Sequence, residues 1–179
     1  MSEIPQERMN AKKEGTDIFR DTPVRYLGYA NEVGESFRAQ VPVNAVRFSY
    51  IVASGYVVAD AIHKGKEASV KTWENDGQKS SQVRWAVLDT LLWQGLASVV
   101  IPGFTINRIC ALSAYVLRKN SQLPSTTRKW ATTIIGLACI PFIIKPIDMS
   151  VDVLMENTVR RWYHIGPVME TVVHHDRND

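Results

Sequence analysis

The chain has 179 residues, of which 45% are hydrophobic and 22% are charged, with a formal net charge of +3 and a mean hydropathy of −0.12. This length predicts a single domain, and the nearly balanced charge excludes the basic excess of a nucleic-acid-binding protein. The two cysteines lie in apolar segments without a cysteine or histidine at ligand spacing. We therefore expect no disulfide framework, no metal site and no cofactor.

The first predicted element after a polar tail, residues 1–20, is an amphipathic helix over residues 22–40. The tail lacks the apolar core of a secretory signal, and its acidic residues are unlike an ordinary mitochondrial presequence. Thr22 is a favourable N-cap and Pro23 a favourable first helical residue. The residue spacing predicts two faces for this helix. The apolar face has Tyr26, Ala30, Val33 and Phe37, and the charged face has Arg25, Glu32 and Glu35.

Three apolar stretches predict membrane spans, each of which needs about 20 mostly apolar residues. They are residues 44–62, 85–101 and 130–145. Residues 104–117 follow Pro102 and Gly103, a pair expected to break or kink a helix, so this piece is a possible further span or a re-entrant helix. The polar residues 63–84 and 118–129 predict hydrophilic loops.

A second amphipathic helix is predicted over residues 150–163, before a polar tail at residues 164–179. Its apolar stripe consists of Val151, Leu154, Met155, Thr158 and Trp162. Basic and indole side chains next to the apolar segments are typical of a membrane interface. The candidate interface residues are Trp85, Trp130, Arg160, Arg161 and Trp162.

Polar residues inside the predicted spans are candidates for contacts between helices, because a charge at mid-membrane costs about 2.5 to 3.5 kcal/mol on insertion scales. These candidates are Arg47, Asp60, Asp89, Gln94, Asn107 and Arg108. We expect Asp89 to pair with Arg47 or Arg108, and such a pair would be either structural or part of a transport site. No glycine-rich phosphate loop, HExxH, CxxC or GxSxG motif occurs, so the sequence indicates no catalytic residues.

Four segments together closely resemble the mitochondrial fission process protein family. They are residues 20–38 (RDTPVRYLGYANEVGESFR), 86–108 (AVLDTLLWQGLASVVIPGFTINR), 128–130 (RKW) and 140–152 (IPFIIKPIDMSVD). The resemblance implies an integral protein of the mitochondrial inner membrane, with several spans, that promotes mitochondrial division. It implies no established enzyme activity and no cofactor.

The expected fold class is all-α, a multi-pass transmembrane helical protein with about three spans, four being possible, in a single membrane domain over residues 21–163. The leading hypothesis is a membrane-shaping or scaffold protein that acts on the lipid bilayer through helices 22–40 and 150–163. The same apolar faces are equally compatible with packing against the spans. The alternative is an ion or proton leak through the inner membrane, built on Asp60, Asp89 and Arg108.

A third hypothesis is an adaptor whose contact surface includes Glu32, Glu35 and the loop around Trp73. Its partners would be proteins of the division machinery or inner-membrane carriers, none of which the sequence identifies. Nucleic acid is not expected as a partner.

Overall fold

The protein, described by a computed structural model at residues 19, 22–71, 73, 75–120 and 122–162, consists of helices and contains no strand within those residues. Apart from Phe19, the predicted tails lie outside the described residues. A 3-10 helix precedes α1, a π-helical segment joins α3 to α4, and a last 3-10 turn follows α5. The bounds are Pro23–Tyr29 (3-10), Ala30–Ser36 (α1), Val43–Val70 (α2), Asp76–Gln94 (α3), Gly95–Val100 (π), Ile101–Asn120 (α4), Ser125–Asn157 (α5) and Val159–Trp162 (3-10).

Three of these helical stretches are long and apolar enough to cross a membrane. They are Val43–Val70, Asp76–Lys119 and Ser125–Trp162. The all-α, multi-pass fold expected from the sequence is thereby confirmed. The helices extend beyond the predicted spans, and residues 63–84 are not a loop. α2 continues to Val70, and α3 begins at Asp76, where the Asn75 side chain caps it by accepting a 2.8 Å hydrogen bond from the Gln78 N–H.

The long helices pack antiparallel to their neighbours. Residues 50, 60 and 65 of α2 contact residues 103, 94 and 87 of the second stretch, so the two run in opposite directions. Residues 132, 152 and 160 likewise contact residues 110, 93 and 89 in reverse order. The result is an up-down-up arrangement of three long helices.

The second long stretch is continuous through Pro102, so residues 104–117, considered above as a possible further span or re-entrant helix, continue the helix that begins at Asp76. Pro102 has no N–H, and its ring crowds the carbonyl four residues earlier. The π-helical segment Gly95–Val100 directly precedes it, and the Ile101 N–H donates to the Leu96 carbonyl, five residues back. This wider turn accommodates the proline without ending the helix.

Residues 23–36, here called the N-terminal segment, form a fourth element beside the long helices. The Thr22 hydroxyl accepts a 3.3 Å hydrogen bond from the Val24 N–H, which confirms the predicted cap. The helix ends at Ser36, earlier than predicted, and residues 37–40 form a turn. A Cβ at Gly28 would meet the Tyr56 ring and one at Gly34 would collide with Ser49, so the segment runs antiparallel to α2 at close range.

Polar residues are concentrated inside the bundle and large apolar ones on its surface. The buried polar side chains are Asn31, Glu32, Glu35, Ser36, Asp60, Gln94, Thr132 and Thr133. Large exposed apolar side chains include Phe48, Ile51, Phe104, Leu112, Ile134 and Phe142. In water such a surface would be a large apolar patch, whereas in lipid no such penalty arises. This distribution agrees with a membrane-embedded bundle.

The predicted helix over residues 150–163 is the end of the third long stretch rather than a separate element on the surface. Val151 and Met155 are buried in an apolar cluster with Ala97 and Ile147. Leu154 and Trp162, which belong to the same predicted stripe, are exposed. The stripe is therefore divided, with one part packed against the bundle and the other facing outward.

Candidate functional site

The buried carboxylate of Glu35 lies at the centre of one polar cluster inside the bundle. Arg38 donates two hydrogen bonds to it, of 2.6 Å from Nε and 2.5 Å from Nη2. The Tyr50 hydroxyl and the Asn107 amide donate further bonds of 3.0 Å and 2.8 Å. The cluster connects the N-terminal segment to α2 and α4.

Four hydrogen bonds keep Glu35 ionised. Burial by itself raises the pKa of this carboxyl, but the donors Arg38, Asn107 and Tyr50 outweigh burial and hold the pKa below its ordinary value. Glu35 is therefore a paired negative charge that fixes the N-terminal segment.

A second cluster joins α2 to the second long stretch. The Gln94 amide donates a 2.6 Å hydrogen bond to Asp60 Oδ2, and Gln94 Oε1 accepts one of 2.6 Å from Ser98 Oγ. Asp60 is fully buried, and its Oδ1 has no hydrogen-bond partner. Asn31 Nδ2 donates a 3.0 Å hydrogen bond to the backbone carbonyl of Val99, the residue after Ser98. This bond attaches the N-terminal segment to the π-helical segment.

A third cluster lies towards the end of the bundle that holds the α2–α3 connection. Arg160 Nε and Nη2 donate hydrogen bonds of 2.8 Å and 3.0 Å to the two oxygens of Asp89. Arg160 Nη1 lies 3.4 Å from Asp152 Oδ1, which also accepts a 2.8 Å bond from the Trp93 indole. This cluster attaches the end of the third long stretch to α3.

Beside the second cluster lies a cleft of about 250 Å³. It is bordered by the N-terminal segment and by residues of α2, α3, the π-helical segment and α5, and its charged and amide or hydroxyl lining includes Arg25, Glu32, Gln94, Ser98 and Asp148. Glu32 is 1% exposed, and neither of its carboxylate oxygens has a hydrogen-bond partner. Burial raises the pKa of the Glu32 carboxyl above its ordinary value and outweighs the opposing effect of its own backbone N–H.

Of the polar residues selected from the sequence, the structure brings Asp60 together with Gln94, and Asn107 with the Glu35 cluster. Asp89 pairs with Arg160 rather than with Arg47 or Arg108. Arg47 is exposed, and Arg108 is an exposed side chain that donates to its neighbour Asn107 and lies 5.3 Å from the Phe104 ring centroid. Asp60, Asp89 and Arg108 thus have three different sets of hydrogen-bond partners.

The predicted interface residues are in different environments. Trp130 and Trp162 are 51% and 86% exposed, whereas Trp85 is half-buried. Arg161 is exposed and donates to Asn157, and Arg160 belongs to the third polar cluster.

The sequence interpretation missed that Asn31, Glu32 and Glu35 face inward, so the two glutamates do not form the exposed adaptor surface considered above. A signal was present, since these three residues share one face of α1 while Val33 lies opposite. In a membrane protein such a polar face packs inward, the reverse of the soluble pattern. Within the described residues no group of three or more His, Cys, Asp or Glu side chains is arranged to hold a metal ion.

Comparison with known proteins gives matches over most of the chain. The model of a family described as Mitochondrial 18 KDa protein (MTP18) matches residues 17–155. A Homo sapiens protein named Mitochondrial fission process protein 1 is 57% identical over 147 residues, 82% of this chain and 88% of that protein. Proteins of the same name from Danio rerio and Caenorhabditis elegans are 57% identical over 150 residues and 54% identical over 148. The former match covers 84% of this chain and 90% of that protein, and the latter 83% and 89%. No solved structure matches the chain.

Proposed function

The chain belongs to the Mitochondrial 18 KDa protein (MTP18) family, and on that premise we propose that it promotes mitochondrial division from within the inner mitochondrial membrane. The observation that carries the proposal is the extent of the match to relatives named for mitochondrial fission, which cover more than four fifths of the chain. The apolar outer surface of the bundle and its polar interior support residence in a bilayer.

The proposed activity is membrane shaping or scaffolding rather than catalysis. The N-terminal segment directs Tyr26, Leu27 and Val33 outward, where they contact lipid in a bilayer. At the opposite end of the chain, Leu154 and Trp162 are exposed on the third long stretch. An apolar residue beside a basic one at the membrane surface binds both the acyl region and anionic headgroups, which supports an anchoring role for this end.

The anchoring role is tested by a double substitution, Leu154→Asp with Trp162→Asp, in cells that lack the endogenous protein. Both side chains are exposed, so the bundle interior is preserved and insertion is expected to persist. Two charges on the lipid-facing side are expected to abolish rescue of mitochondrial morphology. The matched control is Leu154→Met with Trp162→Phe, which keeps the surface apolar and should rescue fully. Normal division with the aspartate variant, inserted at wild-type level, would refute the anchoring role.

The packing also supports a specific topology. The N-terminal segment runs antiparallel to α2 and spans about 25 Å at the usual rises of 3-10 and α-helices, close to the hydrocarbon thickness. Phe19 contacts His63, and Thr158 and Trp162 line one pocket with Trp85. Both ends of the described chain therefore emerge beside the α2–α3 connection, while residues 37–42 and 122–124 lie at the other end.

Single-cysteine labelling in isolated mitochondria with the outer membrane opened tests both the inner-membrane location and this topology. The five labelled positions are Ser2, Ala39, Ser80, Gln122 and Asn178, in a chain whose two native cysteines are replaced by alanine. We expect Ser2, Ser80 and Asn178 to react from one side and Ala39 and Gln122 from the other. Labelling of Ser2 and Asn178 from opposite sides would contradict the four-element arrangement. Labelling of all five positions from both sides, with release by carbonate, would contradict membrane insertion.

A further inference from the structure

Glu32 is the buried acid for which the polar clusters provide no partner. It lies on α1, next to Asn31, whose amide is bonded to the carbonyl of Val99. Val99 is in the middle of residues 90–107, which contain no charged side chain. Glu32 is therefore held level with a stretch of the second helix that contains no charged side chain, where an isolated carboxylate is unstable.

The two glutamates of α1 differ in the hydrogen-bond donors around them. Glu35 has Arg38, Tyr50 and Asn107 around its carboxylate, whereas no donor reaches either oxygen of Glu32. Both Glu32 oxygens are also fully buried, so no cation coordinates them without a rearrangement of the surrounding side chains. A proton bound to one of these oxygens fits the site without such a rearrangement.

We propose that Glu32 is a proton-binding site, a carboxylic acid that remains uncharged inside the bundle at neutral pH and exchanges its proton through the adjoining cleft. The inference is independent of the role in division. The bond that forms is O–H on the Glu32 carboxylate. The proton comes from solvent when a side-chain movement opens the carboxylate to the cleft, and no other group changes covalently.

The neighbours of Glu32 do not supply a compensating charge. The charged and titratable groups that line the cleft or adjoin Tyr50 beside the site are Arg25, Tyr29, Glu35 and Arg38 on or next to its own segment, Tyr50 and Tyr56 on α2, and Asp148 on the third long stretch. Arg25, the positive group among the residues that line the cleft, is exposed to solvent, and it has a hydrogen bond with Tyr29. Arg38 is paired with Glu35, so neither arginine forms an ion pair with Glu32.

The site has a consequence for the position of the N-terminal segment. Loss of the proton would leave a charge without a partner on the buried face of α1. Rising pH is therefore expected to loosen the contacts that hold this segment against α2, and falling pH to secure them.

The protonation state is measured directly by infrared spectroscopy of the full chain in lipid nanodiscs. Glutamate carrying an isotopic label at its carboxyl separates glutamate bands from aspartate bands, and the carbonyl stretch of a protonated acid is distinct from that of a carboxylate. We expect a protonated glutamate band at pH 7 that disappears in Glu32→Gln and persists in the matched control Glu35→Gln. Absence of the band in the wild-type chain at pH 7, or its persistence in Glu32→Gln, would overturn the proposal.

A second measurement covers the case in which a variant does not fold, because it uses the wild-type chain alone. The labelled band is expected to titrate away only above pH 7. The thermal unfolding midpoint is expected to fall with rising pH from the ordinary glutamate pKa upward, while the folded chain still holds the proton, and to level off as the band disappears. Folded Glu32 keeps its proton to higher pH than unfolded Glu32, so rising pH favours unfolding. A band that has already titrated away below pH 6 would refute the site. If Glu32→Gln folds, its midpoint should lack this pH-dependent fall.

Discussion

The ion pair between Asp89 and Arg160 gives a quantitative test of how the third long stretch is attached to α3. Its two hydrogen bonds form a bidentate contact, with side-chain exposures of 16% for Asp89 and 30% for Arg160. A fully exposed pair contributes at most about 1 kcal/mol, and removing one partner of a fully buried pair costs about 3 to 5 kcal/mol. Because this pair is partly buried, we expect Asp89→Asn to lower the free energy of unfolding by about 1 to 3 kcal/mol.

The assay is a double-mutant cycle on the chain in detergent micelles, with unfolding followed by circular dichroism. The variants are Asp89→Asn, Arg160→Gln and their combination, and Arg161→Gln is the exposed control. Arg160→Gln should cost more than Asp89→Asn, because Arg160 also contacts Asp152. We expect a coupling energy of about 1 to 2 kcal/mol. If the losses of the two single variants sum to the loss of the double variant within about 0.5 kcal/mol, a direct interaction is refuted. A large loss in Arg161→Gln would refute the assignment to Arg160.

Three further substitutions test the packing and the polar interior. Gly103→Ala places a Cβ 2.5 Å from the Tyr50 hydroxyl and should lower the free energy of unfolding by about 1 to 3 kcal/mol in the same micelles; an unchanged midpoint would contradict the close approach. Gly55→Ala, where no atom lies within 4 Å of the added Cβ, should instead raise it by up to about 1 kcal/mol, and a loss there would show a contact absent from the bundle described here. Glu35→Gln should lose about 1 to 3 kcal/mol at pH 7. The folded-state pKa of Glu35 is depressed, so its contribution is present above the unfolded value and disappears as pH falls through the folded one. The difference between wild type and Glu35→Gln should therefore vanish at acidic pH, and a constant difference would exclude the charge of Glu35 as its source.

The inward orientation of the N-terminal segment explains why Glu35 and Glu32 have opposite electrostatic settings although they are one turn apart. The Glu35 carboxylate faces Tyr50 of α2 and Asn107 of α4, and both side chains donate hydrogen bonds to it. Glu32 faces the cleft, where no donor reaches it. A single element thus carries both an anchored charge and a candidate proton site.

Local sequence features predicted many of the helices because their causes are local. The length of each apolar run and the cap at Thr22 depend on residues close together in the chain and are visible in the sequence. The family resemblance was also a property of the sequence, since it rests on long matching phrases. Pro102 was misread because the compensation for a proline is a change of helical pitch in the preceding turn, which depends on how the whole helix packs.

The tertiary structure decided which side of each helix faces inward and which polar groups meet. The sequence separated Val33 from Glu32 and Glu35 on the N-terminal segment, but this separation does not tell whether water or lipid surrounds the molecule. In lipid, apolar side chains gain little by packing inward, whereas buried polar groups gain hydrogen bonds from one another, so Asn31 and Glu35 turn into the bundle. The pairing of Asp89 with Arg160 joins residues 71 positions apart, and only the antiparallel packing of two long helices brings them within hydrogen-bond distance.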